Sequence, residues 1–379
     1  MTRPMKNTYL RIALAAFASI SFITGCTSSK PETNDIFMCG IQTGNDNLNR
    51  AFYRINETHY DLNGNNRYSY ANDIQVVGND IYVAGCICPI GSEKTIAVYW
   101  KNGKIVYLTD GKYNASAKKI LVVNDDIYCI GYEADGPLRK KYRSIASFNY
   151  DMVRYDIAKC WKNGTLLYKL TKGNDGDASA EDIAIDRQGN LHIIGYDKNQ
   201  YIRHTWFTVH DCVARYWING KQSELYDSWG AASAISIDQN NSIYIGGWID
   251  RDRDSDGTEA VYWENGWMKN LSNNYNSDIQ AIYSTGTDCY LAGYTSGIRN
   301  NTQAAFWKNG ECIPLTEEET SKDSMVKDIQ VLNGDIYCSG YNTGNIAGYW
   351  KNGEFVAIDE IQGSLNGIAI RPKEASSTM

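Results

Sequence analysis

The chain predicts an all-β fold, a seven-bladed β-propeller of four-stranded antiparallel blades, on three observations. Short runs rich in β-branched and aromatic residues recur in sets of four, each closed by Gly or Asn. The third run of a set ends Trp-x-Asn-Gly six times, at Trp100, Trp161, Trp217, Trp263, Trp307 and Trp350. The sets are also out of phase with the chain, which begins, after a polar stretch, on a second strand and ends on a lone first strand. A lone strand at one end completes the deficient set at the other and seals a circular array with no exposed end sheet. A linear solenoid would need polar caps instead.

The clearest set reads Val326-Lys327-Asp328-Ile329-Gln330-Val331-Leu332, Asp335-Ile336-Tyr337-Cys338-Ser339-Gly340, Ala347-Gly348-Tyr349-Trp350, then Glu354-Phe355-Val356-Ala357-Ile358. These are strands a to d. Asn352-Gly353 joins c to d, as expected where a type I′ turn needs positive φ at both central residues. Strand a recurs at residues 72–77, 118–123, 181–186, 233–238, 277–283, 327–332 and 366–371. Strand b ends on Gly40, Gly85, Gly131, Gly195, Gly247, Gly293 and Gly340. In the first copy Arg54 replaces the tryptophan and Glu57 the turn glycine, which makes that hairpin the least ideal. The ring closes where strand a at 365–371 pairs beside strand b at 36–40.

Residues 1–25 read as a signal segment. Arg3, Lys6 and Arg11 precede an apolar stretch at 12–23 that is too short to span a bilayer. Ile23-Thr24-Gly25-Cys26 resembles a bacterial lipobox, which implies a lipoprotein signal peptide with Cys26 lipidated (by palmitate, for example) and N-terminal after cleavage. Residues 26–34 then form a lipid-anchored flexible tether, residues 35–372 the propeller and residues 373–379 a tail. Thr27 is not the Asp that the lipoprotein rule links to inner-membrane retention, so the resemblance favours the outer membrane of the cell envelope.

The chain carries 37 Lys+Arg against 44 Asp+Glu, net −7. Loss of the three cations at 1–25 takes this to −10, which argues against nucleic acid as a partner. Beyond Cys26, nine of the ten cysteines remain. An odd number at no framework spacing speaks against a disulfide scaffold, and within strands a free cysteine packs as a small hydrophobe. The repeats resemble kelch-type propellers and the extracellular Trp-x-x-Gly repeats of bacteria, over essentially residues 35–372. Only Gly246-Gly247 keeps the paired glycines usual in kelch repeats. The resemblance implies a fold and not a function.

The copies differ mainly between b and c. From the strand-b glycine to the tryptophan position the steps are 14, 15, 30, 22, 16, 14 and 10 residues. In a propeller the b–c and d–a loops share one face, so the variable loops share that face. The third-blade insertion holds Leu138-Arg139-Lys140-Lys141-Tyr142-Arg143, followed by aromatics spaced like an extended hairpin. The fourth holds Tyr201, Arg203, His204, Trp206, Phe207 and His210. Aromatics beside guanidinium groups suit a carbohydrate or anionic polymer. Arg139, Lys140, Tyr142, Arg143, Tyr201, Arg203 and Trp206 are the ligand-binding candidates, against the reading that two long hairpins pack together with their charges solvated.

Asp252, Asp254 and Asp256 alternate ahead of Gly257, a pattern that can wrap a structural calcium ion, although Trp263 stands where an EF-hand places its Glu. No cofactor is otherwise required. His204, His210, Asp211 and Cys212 have no fixed metal geometry. The strand-a aspartates Asp73, Asp182, Asp278 and Asp328 either line the central channel or, as the preferred reading, bond turns and neighbouring backbones. Tyr132, Tyr196, Trp248, Tyr294 and Tyr341, after the strand-b glycines, either ring the variable face or pack between blades. No nucleophile elbow or phosphate loop occurs. The expected role is a monomeric, non-catalytic platform for a glycan or envelope protein. The alternatives are a polysaccharide lyase or hydrolase on the same scaffold, and an assembly scaffold without a small ligand.

Overall fold

The computed structural model describes residues 34–144, 147–173, 176–203, 207–223, 225, 229–250, 257–271, 276–296, 301–316 and 322–373. No helix occurs among them. Five separate sheets each have four antiparallel strands, and a sixth has seven. The large sheet is two blades joined by one strand. Residues Glu354–Pro372 run unbroken, serving first as strand d of the seventh blade and then as strand a of the first. Along 363–372 this strand pairs with Asn34–Thr43, the opening strand of the described chain. The first blade is therefore built from both ends, as the out-of-phase repeats require.

The apolar residues sort into seven cores, each between two neighbouring blades. Trp100 of blade 2 lies in the core shared with Phe37, Cys39 and Tyr53 of blade 1. Trp161 packs on blade 2, Trp217 on blade 3, Trp263 on blade 4, Trp307 on blade 5 and Trp350 on blade 6. The seventh core joins Ile36, Met38 and Phe52 of blade 1 to Tyr337 and Tyr349 of blade 7. Strand b has cores on both of its faces: Ile81 and Val83 face blade 1 while Tyr82 and Ala84 face blade 3. That is why strand b reads as a continuous apolar run rather than an alternating one. The outer strands d are short and exposed, which blunts the rim against edge pairing.

The asparagine of Trp-x-Asn-Gly has two jobs. Its φ lies near 50° in every copy, from Asn56 to Asn352, a region that Asn tolerates better than most residues. Its side chain also clamps the same blade's a–b turn. Asn102 Oδ1 accepts the Ile81 N–H at 2.8 Å and its Nδ2 donates to Asp80 at 2.7 Å. The Oδ1 clamp recurs in all seven blades. The first hairpin keeps it without a turn glycine, through Asn56 to Ile36 and Asp35. The buried Arg54 in the tryptophan position donates to the Glu57 carbonyl at 2.7 Å. Asn163→Ala removes the bonds to Ile127 and Asp126 and strains the turn. It should cost about 2 kcal/mol in denaturant midpoint analysis, and Asn163→Gly less, because glycine relieves the φ strain and forfeits only the bonds.

The described cysteines are all free and mostly buried, in line with packing rather than cross-linking.

Candidate functional site: an axial pocket

Strand a is the inner edge of every blade, and in every blade it carries an extra residue at the same place in its pairing with strand b. The pairing with strand b shifts between Ala71 and Asp73, Ala117 and Lys119, Ala180 and Asp182, and Ala232 and Ala234. It shifts again between Ile279 and Ala281, between Val326 and Asp328, and opposite Cys39 and Gly40 in the first blade. Such a bulge leaves one residue unpaired and re-aims its side chain. The seven bulged residues are Asn366, Asn72, Lys118, Glu181, Ser233, Gln280 and Lys327, in blade order from 1 to 7.

The bulge also explains the strand-b glycines. It presses the carbonyl two residues earlier against the partner strand. A Cβ on Gly85 would lie 1.9 Å from the Tyr70 carbonyl oxygen, and on Gly195 2.0 Å from that of Ser179. The same approach recurs at Gly40, Gly131, Gly247, Gly293 and Gly340. Only glycine leaves room for it.

All seven bulged residues line one cavity of about 580 Å³. The bulges lie toward the start of strand a and the end of strand b, so the cavity opens among the d–a and b–c loops, the face with the variable loops. Tyr196, Lys198 and Cys212 from blade 4 and Trp248 from blade 5 complete its upper wall. Lys198 stands over the Tyr196 ring at 5.7 Å, and Lys118 lies 3.9 Å from Glu181.

One residue deeper sit aspartates that hold the blades together. As an inner edge, strand a presents N–H groups with no strand beside them. Asp73 of blade 2 accepts the Ile120 N–H of blade 3 at 2.9 Å. Asp182 accepts the Ile235 N–H of blade 5 at 2.8 Å, and Asp328 of blade 7 the Ile368 N–H of blade 1 at 3.0 Å. Asn72 and Asn366 add bonds to the Ala117 and Ala71 carbonyls of the next blade. The preferred reading of these three aspartates, bonds to neighbouring backbone, is what the structure has. Lys119 is their internal counter-ion, 3.1 Å from Asp73. Burial alone would lower its pKa, but Asp73, Asp328 and Asp182 together hold it well above the ordinary amine value.

Asp278 is not one of this set. It lies two residues before its bulge, whereas Asp73, Asp182 and Asp328 lie one after theirs. Its side chain lines the pocket beside Gln280, whose Nε2 donates to Oδ2 at 2.6 Å. Burial, opposed by Gln280 and Lys327, raises its pKa to about 7. Lys327 is shifted the other way: burial lowers it against the pull of Asp278. At the blade 3–4 edge, burial and then the neighbouring Asp177 raise Asp156 to about 7. Burial, offset by Lys119, raises Asp182 to about 6.

These raised carboxyls predict a pH slope. Each binds its proton more tightly folded than unfolded, so its contribution to stability is complete below the unfolded value of 3.8 and is lost as pH rises through 6 to 7. Asp46 and Asp186, lowered to about 2, act below this window. The melting temperature should fall from pH 5 to pH 8, by on the order of a few kcal/mol in stability. Asp278→Asn should flatten the fall and stabilise the protein at pH 8. A flat wild-type profile counts against this account.

Of the sequence-derived candidates, the structure describes the side chains of Arg139 and Lys140. Arg139 and Lys140 are exposed on a separate two-stranded hairpin, paired with Val153 and Met152. Tyr142 pairs with Tyr150 on that hairpin; the backbone of Tyr201 and Arg203 belongs to the long b–c hairpin of blade 4, paired with Val209 and Phe207. Arg139 and Lys140 do not line the axial cavity; the blade 4 hairpin reaches it through Lys198 and Cys212 at its base. The side chains of Tyr142, Arg143, Tyr201 and Arg203, and Cys26, His204, Trp206, Asp252, Asp254 and Asp256 altogether, fall outside the described residues. Tyr196 and Trp248 line the cavity, while Tyr132, Tyr294 and Tyr341 are half-buried and do not line it. Sequence inspection passed over the bulge ring, although two successive polar residues where alternation is expected (Asn72-Asp73, Lys118-Lys119, Glu181-Asp182, Lys327-Asp328) mark it.

No family model matches the chain, and no curated protein matches it in sequence. Solved structures resemble it in backbone. A protein of unknown function from Dyadobacter fermentans has a TM-score of 0.45 at 9% identity, over 80% of this chain and 95% of that one. Kuenenia stuttgartiensis hydrazine synthase has 0.42 at 8%, over 90% of this chain and 48% of that one. Trypanosoma rangeli sialidase has 0.36 at 9%, over 89% and 57%. This chain thus spans about half the length of the hydrazine synthase chain and little more of the sialidase. What it has in its own strand pairing is an all-β array of four-stranded antiparallel blades of propeller type.

Proposed function

We propose that the protein is an envelope lipoprotein that binds a glycan in the axial pocket. The observation that carries this reading is the pocket's composition. One residue from every blade converges on a cavity of about 580 Å³, of a size that suits small ligands. Trp248 and Tyr196 offer ring faces for stacking on a sugar. Asn72, Asn366, Gln280 and Ser233 offer both donors and acceptors for hydroxyls. The envelope address rests on the lipobox-like run before Cys26, and the long hairpins of blades 3 and 4 stand on the same face as the pocket mouth.

The test is a glycan array with the full-length protein in detergent, followed by calorimetry on each hit. Trp248→Ala should weaken binding by about tenfold; unchanged affinity would move the site off the axis. Cys26→Ala should release the protein from membranes, and unchanged association would remove the lipid from the proposal. A second reading, an enzyme acting on the bound polysaccharide, is favoured by the shifted carboxyls Asp278 and Asp156, since such groups gather where protons are exchanged. Degradation of any array hit on prolonged incubation decides for it.

A further inference from the structure

Two groups on one wall of the pocket keep unused hydrogen-bonding capacity among the described residues. Asp278 is 6% exposed, and while its Oδ2 takes the Gln280 amide, its Oδ1 has no hydrogen-bond partner among the described residues. The adjacent Ile279 backbone N–H favours its ionised form. Lys327, the bulged residue of the neighbouring blade, has no hydrogen bond or ion pair to any described residue. Native proteins rarely leave a buried carboxyl oxygen unsatisfied, and such an atom asks for an explanation.

The fold does not supply it. The residues that stand where Asp278 stands, two before the bulge, are Tyr70, Ser116, Ser179, Ala231, Met325 and Ser364. Six blades form the same bulge without a carboxylate there. The aspartates that do serve the fold are one residue beyond the bulge and each accepts a backbone N–H of the next blade. Asp278 is surplus to the architecture.

The charges around it describe what would fit. Facing Asp278 are Lys327 from blade 7, Tyr294 opposite it on strand b and, across the cavity, Glu181 of blade 4. Lys119 is already matched by Asp73, Asp182 and Asp328, which leaves Lys118, Lys198 and Lys327 in the cavity lining against Glu181 and Asp278. An excess of positive charge in a partly desolvated pocket attracts an anion. A free ammonium, by contrast, would be pressed against Lys327. A carboxylate oxygen accepts and, when ionised, cannot donate, so Oδ1 calls for a hydroxyl or another donor on the same ligand.

We propose that the Asp278–Lys327 wall makes the axial pocket selective for acidic sugars, with Lys327 taking the carboxylate of a uronic acid unit and Asp278 Oδ1 accepting the adjacent hydroxyl proton. This rests on the reading of the pocket as a glycan site and narrows its substrate class. Lys118 and Lys198 on the opposite wall then serve further acidic units of the same chain.

The experiment titrates the full-length protein in detergent with a uronic acid oligosaccharide, the neutral oligosaccharide of the same linkage, and inorganic phosphate. The acidic oligosaccharide should bind at least about tenfold more tightly than the neutral one. Lys327→Met should abolish that preference, bringing the acidic and neutral oligosaccharides to similar affinity. Asp278→Asn should weaken the acidic ligand about tenfold with no loss of melting temperature, separating a binding role from a structural one. Equal or tighter binding of the neutral oligosaccharide overturns the acidic selectivity and leaves the glycan site standing. Binding of phosphate with neither sugar, or binding of none of the three, overturns both.

Discussion

Gly85→Ala should leave the protein insoluble or unfolded at ambient temperature. The added methyl would sit 1.9 Å from the Tyr70 carbonyl oxygen and 2.9 Å from the Trp100 ring. The first of these is backbone, so no side-chain rotation relieves it. Strand a would have to move outward or lose its bulge. Either shift breaks the Asn72 bond to Ala117 and the Asp73 bond to Ile120, which tie blade 2 to blade 3. Overpacking a well-filled core costs about 1–3 kcal/mol. Adding the loss of two inter-blade bonds at about 1 kcal/mol each brings the total near the whole stability of many domains, about 5 kcal/mol. Gly78→Ala is the control. Gly78 sits in the a–b turn of the same blade with φ of 58° and nothing within 4 Å of a Cβ, so only the turn conformation is strained, by about 1–2 kcal/mol. Soluble expression and thermal melts of the two variants separate these outcomes; equal behaviour would mean that the bulge does not set the need for glycine.

That contrast also locates what the sequence could and could not tell. Strands b and c announce themselves, because a strand with cores on both faces must be apolar throughout and because Asn-Gly at the c–d turn is both conformational and a clamp. The strand-b glycines were legible as a repeat, but not as the imprint of a bulge, since the residue that explains each glycine lies on another strand. The pocket was illegible for a related reason. Asn72, Lys118, Glu181 and Lys327 are separated in sequence by whole blades and meet only because the blades surround one axis. The basic run at 138–143 drew attention instead, since contiguity is what a linear reading sees. Asp278 resembled the other strand-a aspartates, and a register offset of three positions relative to the bulge gives it a different environment.

The second large effect concerns the strand shared by the two ends. A chain ending at Ile361 should aggregate or lose cooperative unfolding. Residues 363–372 form strand a of blade 1, paired with the opening strand from Asn34 to Gln42. Their removal strips Leu365 and Ile368, both almost fully buried, out of the core between blades 7 and 1. At about 1.5–3 kcal/mol per buried aliphatic side chain, these two alone contribute several kcal/mol. The loss also leaves Asp328 without its Ile368 partner, opens the Ala71 carbonyl that Asn366 satisfies, and exposes a bare edge on the opening strand. Arg371→Ala is the mild companion: its bonds to Gly78 and Asp35 are at the surface, where a pair is worth under about 1 kcal/mol. A synthetic peptide of residues 362–373 added in trans should restore solubility to the truncated chain, because the missing piece is one strand with its own pairing register. A truncated chain that melts like the full one would mean that blade 1 holds without this strand, and with it would go the argument that the out-of-phase repeats exist to join the two ends.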